Sequence, residues 1–226
     1  MLLGATAEGK KELVALEEGY RESSESWRVL LRSLRQRGLA QSPSLAIADG
    51  ALGFWNALQD IYPKTRWQRC WFHKISNVLD KFPKSMHGAA RQHLKSIQMA
   101  ATKEEAQQQW TRFRKVYEDK YPGAVAILDK NKDQLLTFYD FPAKHWVHIR
   151  TTNVVESVFS GVRLRTNKTG NCVSRQTILS LVYRLVCSAE KRWKRLRGYD
   201  LMGKVITGVK FTDGVETTEI DALEAA

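Results

Sequence analysis

Residues 44–63 read Ser-Leu-Ala-Ile-Ala-Asp-Gly-Ala-Leu-Gly-Phe-Trp-Asn-Ala-Leu-Gln-Asp-Ile-Tyr-Pro. The run over 44–48 is short and apolar, which predicts a buried strand. Asp49-Gly50 ends it. Ala51, Phe54, Trp55, Leu58 and Tyr62 then recur on one side of a helix that Pro63 closes. A strand delivering an acid at its C-terminal end, followed by a helix, is an α/β unit, and in open sheets ligands collect at that edge. Asp49 there is a hard-oxygen ligand of the kind Mg²⁺ takes. Asp-Gly is equally a common turn dipeptide, so the residues alone leave both readings open.

Upstream, residues 2–6 and 12–16 predict two short strands joined at Glu8-Gly9. Ser23 and Ser24 precede an amphipathic helix carrying Trp27, Leu30, Leu31 and Leu34, stopped by Gly38. A strand-like stretch follows over 65–72. Between 75 and 145 the pattern is helical throughout. Ile75, Val78, Leu79 and Phe82 mark one helix. Thr102-Lys-Glu-Glu105 is a capping box opening a second, and residues 123–139 suggest a third. Downstream, Val155, Val158, Phe159 and Val162 define a helix from about Asn153. A longer helix carries Ile178, Val182, Leu185, Ala189, Trp193 and Leu196. The fold class expected is α/β, with an all-helical insertion and C-terminal helices.

The chain has 226 residues and a net charge of +12, and hydrophobic residues make up 43%. That excludes a disordered chain and allows one large domain or a small one with an insertion. The last fifteen residues hold Asp213, Glu216, Glu219, Asp221 and Glu224 and no base, so the rest is more basic than the total suggests. A field of this sign favours a polyanionic partner, and nucleic acid over membrane, since no helix sets a strongly basic face against a large apolar one. The cations concentrate late. Arg163, Arg165, Lys168 and Arg175 are followed by Arg184, Lys191, Arg192, Lys194, Arg195 and Arg197, with Trp193 interleaved and Glu190 the one acid from Arg184 to Arg197. Such clusters bind phosphates, although a solvated helix face has the same composition. No apolar run is long enough to span a bilayer, and the N-terminus shows no signal-peptide pattern. Cys70, Cys172 and Cys187 are odd in number and widely spaced, which fits a reducing, cytoplasmic compartment.

Two further features carry chemistry. Glu156 lies in the first turn of the helix from Asn153 and shares a face with Asn153, Ser160 and Arg163. From there it could reach a metal, or Asn153-x-x-Glu156 could act only as a capping box. Cys70-x-x-His73 offers two metal ligands. A structural zinc site needs four, and no other His or Cys has ligand spacing, so zinc is not expected.

Taken together, Ala48-Asp-Gly-Ala-Leu-Gly53, Trp67-Gln-Arg-Cys-Trp-Phe-His73 with Asn77-Val-Leu79, and Thr151-Thr-Asn-Val-Val-Glu156 with Arg163-x-Arg165 resemble the Mutator-type transposases of bacterial insertion sequences, in order and placement, as far as about Gly198. The resemblance implies an RNase H-like catalytic core, discontinuous over 1–74 and 147–200, with the helical insertion at 75–146. Residues 201–226 are then an acidic, mobile tail. Asp49 matches the second catalytic aspartate and Glu156 the catalytic glutamate, both as ligands of Mg²⁺ or Mn²⁺. Cys70 and His73 match the family's near-site Cys-x2-His element. The implied chemistry is two-metal phosphoryl transfer on DNA, at transposon ends and into target. The implied setting is the bacterial cytoplasm at the nucleoid, with a second copy or a full-length relative as protein partner. One departure matters. Leu2-Leu3-Gly4-Ala5 resembles the family's second strand, no acid precedes Glu8, and nothing matches the N-terminal DNA-binding region. The expectation is an N-terminally truncated core without its first strand and first aspartate, of marginal stability and cutting DNA little on its own.

Overall fold

A computed structural model describes residues 1–17, 23–166 and 174–217. The chain divides into two compact units. The first comprises residues 1–44, 51–65 and 152–208, and the second comprises 45–50, 66–151 and 209–226.

In the first unit, β1 (Leu2–Ala5) and β2 (Lys11–Ala15) form an antiparallel hairpin pairing Leu3 with Leu13. Gly9 turns it at φ +69°, where a Cβ would collide with Tyr199. Helix α1 (Ser24–Gln36) starts where the Ser23 hydroxyl accepts from Ser26 N at 3.1 Å, and it buries Leu30, Leu31 and Leu34. It packs on α2 (Leu52–Ile61) through Trp27 and Phe54, whose rings meet edge-on at 5.0 Å, and through the Arg28–Asp60 ion pair at 2.6 Å. The Tyr62 hydroxyl closes this pair by donating to Leu39 O at 2.8 Å. Helices α9 (Asn153–Thr166) and α10 (Arg175–Glu190) bury Val158, Val162 and Val186, with Leu3, Leu13, Val182 and Leu185 packed against them.

The expected long helix stops early. Its apolar spacing runs through Trp193 and Leu196, yet α10 ends at Glu190. Two bonds explain the stop. Glu190 Oε1 accepts from Leu13 N at 2.7 Å, and Leu196 N donates to Gly9 O at 2.9 Å. Residues 191–197 therefore run back along the hairpin, and Trp193 packs on the valine cluster from a non-helical segment. A one-turn helix, α11 (Met202–Ile206), follows.

In the second unit, β3 (Leu45–Ala48) pairs in parallel with β4 (Arg66–Arg69), Leu45 with Arg66 through Ala48 with Arg69. The remaining regular structure from Trp71 to Ile149 is helical: α3 (Trp71–Leu79), α4 (His87–Met99), α5 (Lys103–Tyr117), α6 (Pro122–Asp129), α7 (Lys132–Leu136), α8 (Trp146–Ile149) and intervening 3-10 turns. They enclose a core rich in aromatics, including Trp71, Trp110, Phe113, Phe138 and Tyr139. The helix expected over 123–139 is broken into α6, α7 and a 3-10 turn, which lets Leu135 O face the sheet. Gln68, fully buried on β4, donates to Leu135 O at 3.1 Å and to Arg69 O at 2.9 Å, and it accepts from Phe138 N at 2.8 Å. Trp71 Nε1 also donates to Leu135 O, at 2.9 Å.

The expected mobile tail is folded as far as Thr217; residues 218–226 lie outside the described residues. β5 (Phe211–Thr212) and β6 (Val215–Glu216) form a hairpin around Asp213-Gly214, both at positive φ. Gly214 N donates to Tyr139 O and Gly214 O accepts from Ala143 N, both at 3.0 Å, while Asp213 Oδ1 accepts from Lys103 N at 2.7 Å. A Cβ at 214 would lie 2.5 Å from Ala143 Cβ, so only glycine fits. Because its acid takes up a first-turn N–H of α5, this turn docks on the helical core.

The described strands thus form three two-stranded sheets, and the architecture is α/β with helices dominant. Among the described residues, no helix is long and apolar enough to cross a membrane.

The Gln68 side chain is the polar link between strand and helices. Gln68→Leu strands the buried Phe138 N–H and should cost about 1–3 kcal/mol, read as a lower midpoint in chemical denaturation. An unchanged midpoint contradicts this role.

Candidate active site

The site begins with the β3–β4 register. Parallel pairing aligns Ala48 with Arg69, and the next bond along, Cys70 N to Ala48 O at 2.9 Å, holds Asp49-Gly50 beside Arg69-Cys70. The chain passes directly from β4 into α3. Cys70 is the buried N-cap residue, so His73, half-buried, falls in the first turn. Trp71 N donates to Arg150 O at 2.9 Å, which ties this turn to the segment leading out of the helical core. Phe72 points outward and is 53% exposed, its ring edge-on to His73 at 5.6 Å and 87°.

Asp49 is half-buried at the end of β3. A nitrogen of the Arg69 guanidinium lies 3.0 Å from the point where a Cβ on residue 50 would sit, so Gly50 leaves room for it. Burial pushes the Arg69 guanidinium below its ordinary pKa, and the Asp49 carboxylate works against that shift. Next to it, Lys74 is buried on α3 and donates to Ile127 O at 2.7 Å and to Asn131 Oδ1 at 3.1 Å. Burial lowers Lys74 from 10.5 to about 8, and the charges of Arg69 and Lys130 add to that.

Glu156 belongs to the other unit, in the first turn of α9. Thr152 precedes the helix. Its carbonyl accepts from Val155 N and Glu156 N, and its hydroxyl donates to Glu156 Oε1 at 2.6 Å. Asn153 is the first helical residue, so the expected Asn153–Glu156 capping box is replaced by a Thr152–Glu156 contact. That contact orients the carboxylate through a hydroxyl.

Arg163 and Arg165 are exposed on the last turn of α9. Lys191, Arg192, Lys194, Arg195 and Arg197 are exposed in the segment after α10, with Arg195 over the Tyr199 ring at 5.3 Å. Arg175 opens α10, and Lys168 lies outside the described residues. Between α9 and α10 is a cleft of about 120 Å³ lined by Val158, Val162, Arg165 and Trp193 among others. The structure thus groups Asp49, Cys70 and His73 in one unit, and Glu156 with the basic residues in the other.

Arg69, Phe72, Lys74 and Thr152 were not singled out by sequence reasoning. For Arg69 a signal existed: a parallel strand ending just before Cys70 sets its last residue opposite the one preceding Asp49. For Lys74 there was none, because its burial depends on carbonyls more than fifty residues away.

A family model described as transposase, Mutator family, matches residues 1–196. The chain belongs to the Mutator family of transposases. It is 49% identical over 215 residues to the transposase for insertion sequence element IST2 of Acidithiobacillus ferrooxidans, covering 95% of this chain and 73% of that protein. It is 46% identical over 214 residues to the transposase for IS6120 of Mycolicibacterium smegmatis, with 95% and 66% covered. It is 26% identical over 197 residues to the transposase for ISRM5 of Rhizobium meliloti, with 87% and 49% covered. The chain therefore spans between about half and three-quarters of the length of these relatives. The family match takes in Asp49, Cys70, His73, Glu156 and the cations as far as Arg195, and it ends before the β5–β6 hairpin.

The Lys74 shift has a pH signature. Between about pH 8 and 10.5 the unfolded chain holds a proton here that the folded chain has released, so this group makes stability rise with pH across that window. Relative to Lys74→Met, wild type should gain about 1–2 kcal/mol over the window, measured by denaturation at each pH. Parallel pH profiles contradict a buried, readily deprotonated lysine.

Proposed function

We propose that this chain acts on DNA as the catalytic portion of an insertion-sequence transposase, with Asp49 and Glu156 as the acids of an RNase H-like site. The observation that carries the reading is the carboxylate of Asp49 at the C-terminal end of a parallel strand, in a chain of this family. The strand pairing supports it. An antiparallel pair, β1–β2, and a parallel pair, β3–β4, are both pairings that an RNase H-like sheet contains. On this reading, residues 1–74 and 147–200 form the core and 75–146 the insertion.

The donor chemistry fits a hard divalent ion at the two acids, since Asp49 and Glu156 offer only oxygen, whereas Cys70 and His73 offer sulfur and nitrogen. Asp49 and Glu156 would hold Mg²⁺ or Mn²⁺. Such ions, when bound, activate water or a 3′-hydroxyl and stabilise the leaving oxygen. The protein's own part is positional. The Ala48–Cys70 bond fixes the backbone ahead of Asp49, and the Thr152 hydroxyl orients Glu156. Arg163, Arg165, Lys168, Arg175, Lys191, Arg192, Lys194, Arg195 and Arg197 supply the phosphate-neutralising charge. DNA, at transposon ends and target, is the substrate, and the setting is the bacterial nucleoid. A second copy or a full-length relative is the protein partner.

A second reading has its own observation. The exposed cations Arg163, Arg165, Lys191, Arg192, Lys194, Arg195 and Arg197 lie in a unit that does not hold Asp49. On that reading the chain is a DNA-binding element that modulates a complete transposase.

DNA affinity should fall log-linearly with salt between about 50 and 200 mM, and replacing Lys194 and Arg195 by Gln should reduce the slope by about two. Salt-independent binding, or none, overturns the DNA reading. The two readings part in a nicking assay with Mn²⁺ and transposon-end DNA. Robust nicking that Asp49→Asn abolishes would sink the second reading and support the first.

A further inference from the structure

We infer that Arg69 and Phe72 form a nucleotide-binding element at the Asp49 edge, with Phe72 stacking on an unpaired base and Arg69 taking an adjoining phosphate. This rests on the DNA reading above and specifies the form of DNA that the site accepts. Helix α3 turns Trp71, Lys74, Ile75, Val78 and Leu79 inward, so its inner face is complete without Phe72. Phe72 is nevertheless a large apolar ring left 53% exposed, one of the exposed hydrophobics not shared with that core. It is not loosely held. Its ring stands edge-on to His73 at 5.6 Å, and its backbone lies in the first turn after Cys70, which is bonded to Ala48 O.

The second half of the element is Arg69. Its guanidinium lies over Gly50, 3.0 Å from where any Cβ would be, and so beside the strand-end acid. A guanidinium fork is matched to phosphate oxygens, and an aromatic face is matched to a nucleobase of any sequence. Within one strand-to-helix junction, residues 69–73, the chain presents both. In an intact duplex the bases stack on one another and none is available to Phe72. The ligand that satisfies both side chains is therefore a nucleotide whose base has left the stack, next to the phosphate held at the site.

The test uses the whole 226-residue chain, with binding of a single-stranded oligonucleotide carrying 2-aminopurine compared with binding of the same sequence as a duplex. Phe72→Ala should weaken single-strand binding about 5- to 150-fold and duplex binding less than about twofold, and Phe72→Trp should restore it. Because Phe72 is exposed, its melting temperature should not change. Arg69→Gln should lower the salt slope by about one. Unchanged single-strand affinity in Phe72→Ala, with salt-dependent DNA binding intact, overturns the inference and leaves the DNA reading standing. An equal loss on duplex and single strand overturns it too, as does capture of a protein partner through Phe72 without any effect on DNA. An unchanged slope in Arg69→Gln removes the phosphate half. Absence of salt-dependent DNA binding in wild type overturns the inference and the DNA reading together.

Discussion

The parallel pairing of β3 with β4 is the constraint on which the site depends. Each strand has four residues, and a two-stranded parallel pair has little stability of its own. It holds its register because β4 is fastened from the other side. Gln68 and Trp71 both donate to Leu135 O, and Phe138 N donates back to Gln68. The helical core therefore acts as a clamp on β4, and through the Cys70–Ala48 bond it fixes where β3 ends and Asp49 begins. A slip of one residue would turn Arg69 to the opposite side and bring a different residue opposite Ala48.

The electrostatics follow from the same junction. Arg69 and Lys74 are cations drawn partly or wholly out of water, and both are lowered in pKa by burial. Lys74 donates to Ile127 O, in the last turn of α6, and to Asn131 Oδ1, in the break before α7. Arg150, also lowered by burial, lies over the rings of Phe138 and Trp146 at 4.5 and 4.9 Å, while its carbonyl receives Trp71 N. Buried positive charge is costly unless compensated, and here carbonyls, aromatic faces and one acid compensate it. The cations after α10 are of another kind, exposed to solvent rather than drawn into the core.

Much of this was legible in the sequence where signals are local. The strand over 45–48 follows from an apolar run closed by Asp49-Gly50, and α9 follows from the spacing of Val155, Val158 and Val162. The failures share a physical cause, long-range bonding. Trp193 and Leu196 continue a helical period, but Leu13 N and Gly9 O draw the chain off the helix after Glu190. Residues 211–216 look like part of an acidic tail, because their turn is stabilised by Tyr139, Ala143 and Lys103 rather than by the two-residue strands beside it. At the site, Asp49, Cys70, His73 and Glu156 were marked by type and motif. Arg69 and Phe72 were not, since their meaning lies in which neighbours the register gives them.

On the function proposed above, Asp49 and Glu156 share one cation. The most direct measurement is Mn²⁺ affinity, read by the paramagnetic signal of free ion, for wild type, Asp49→Asn, Glu156→Gln and the double variant. If the acids share an ion, each single substitution weakens binding at least tenfold and the double variant is little weaker than either. Strictly additive losses, or a single variant that binds as wild type does, would contradict the account.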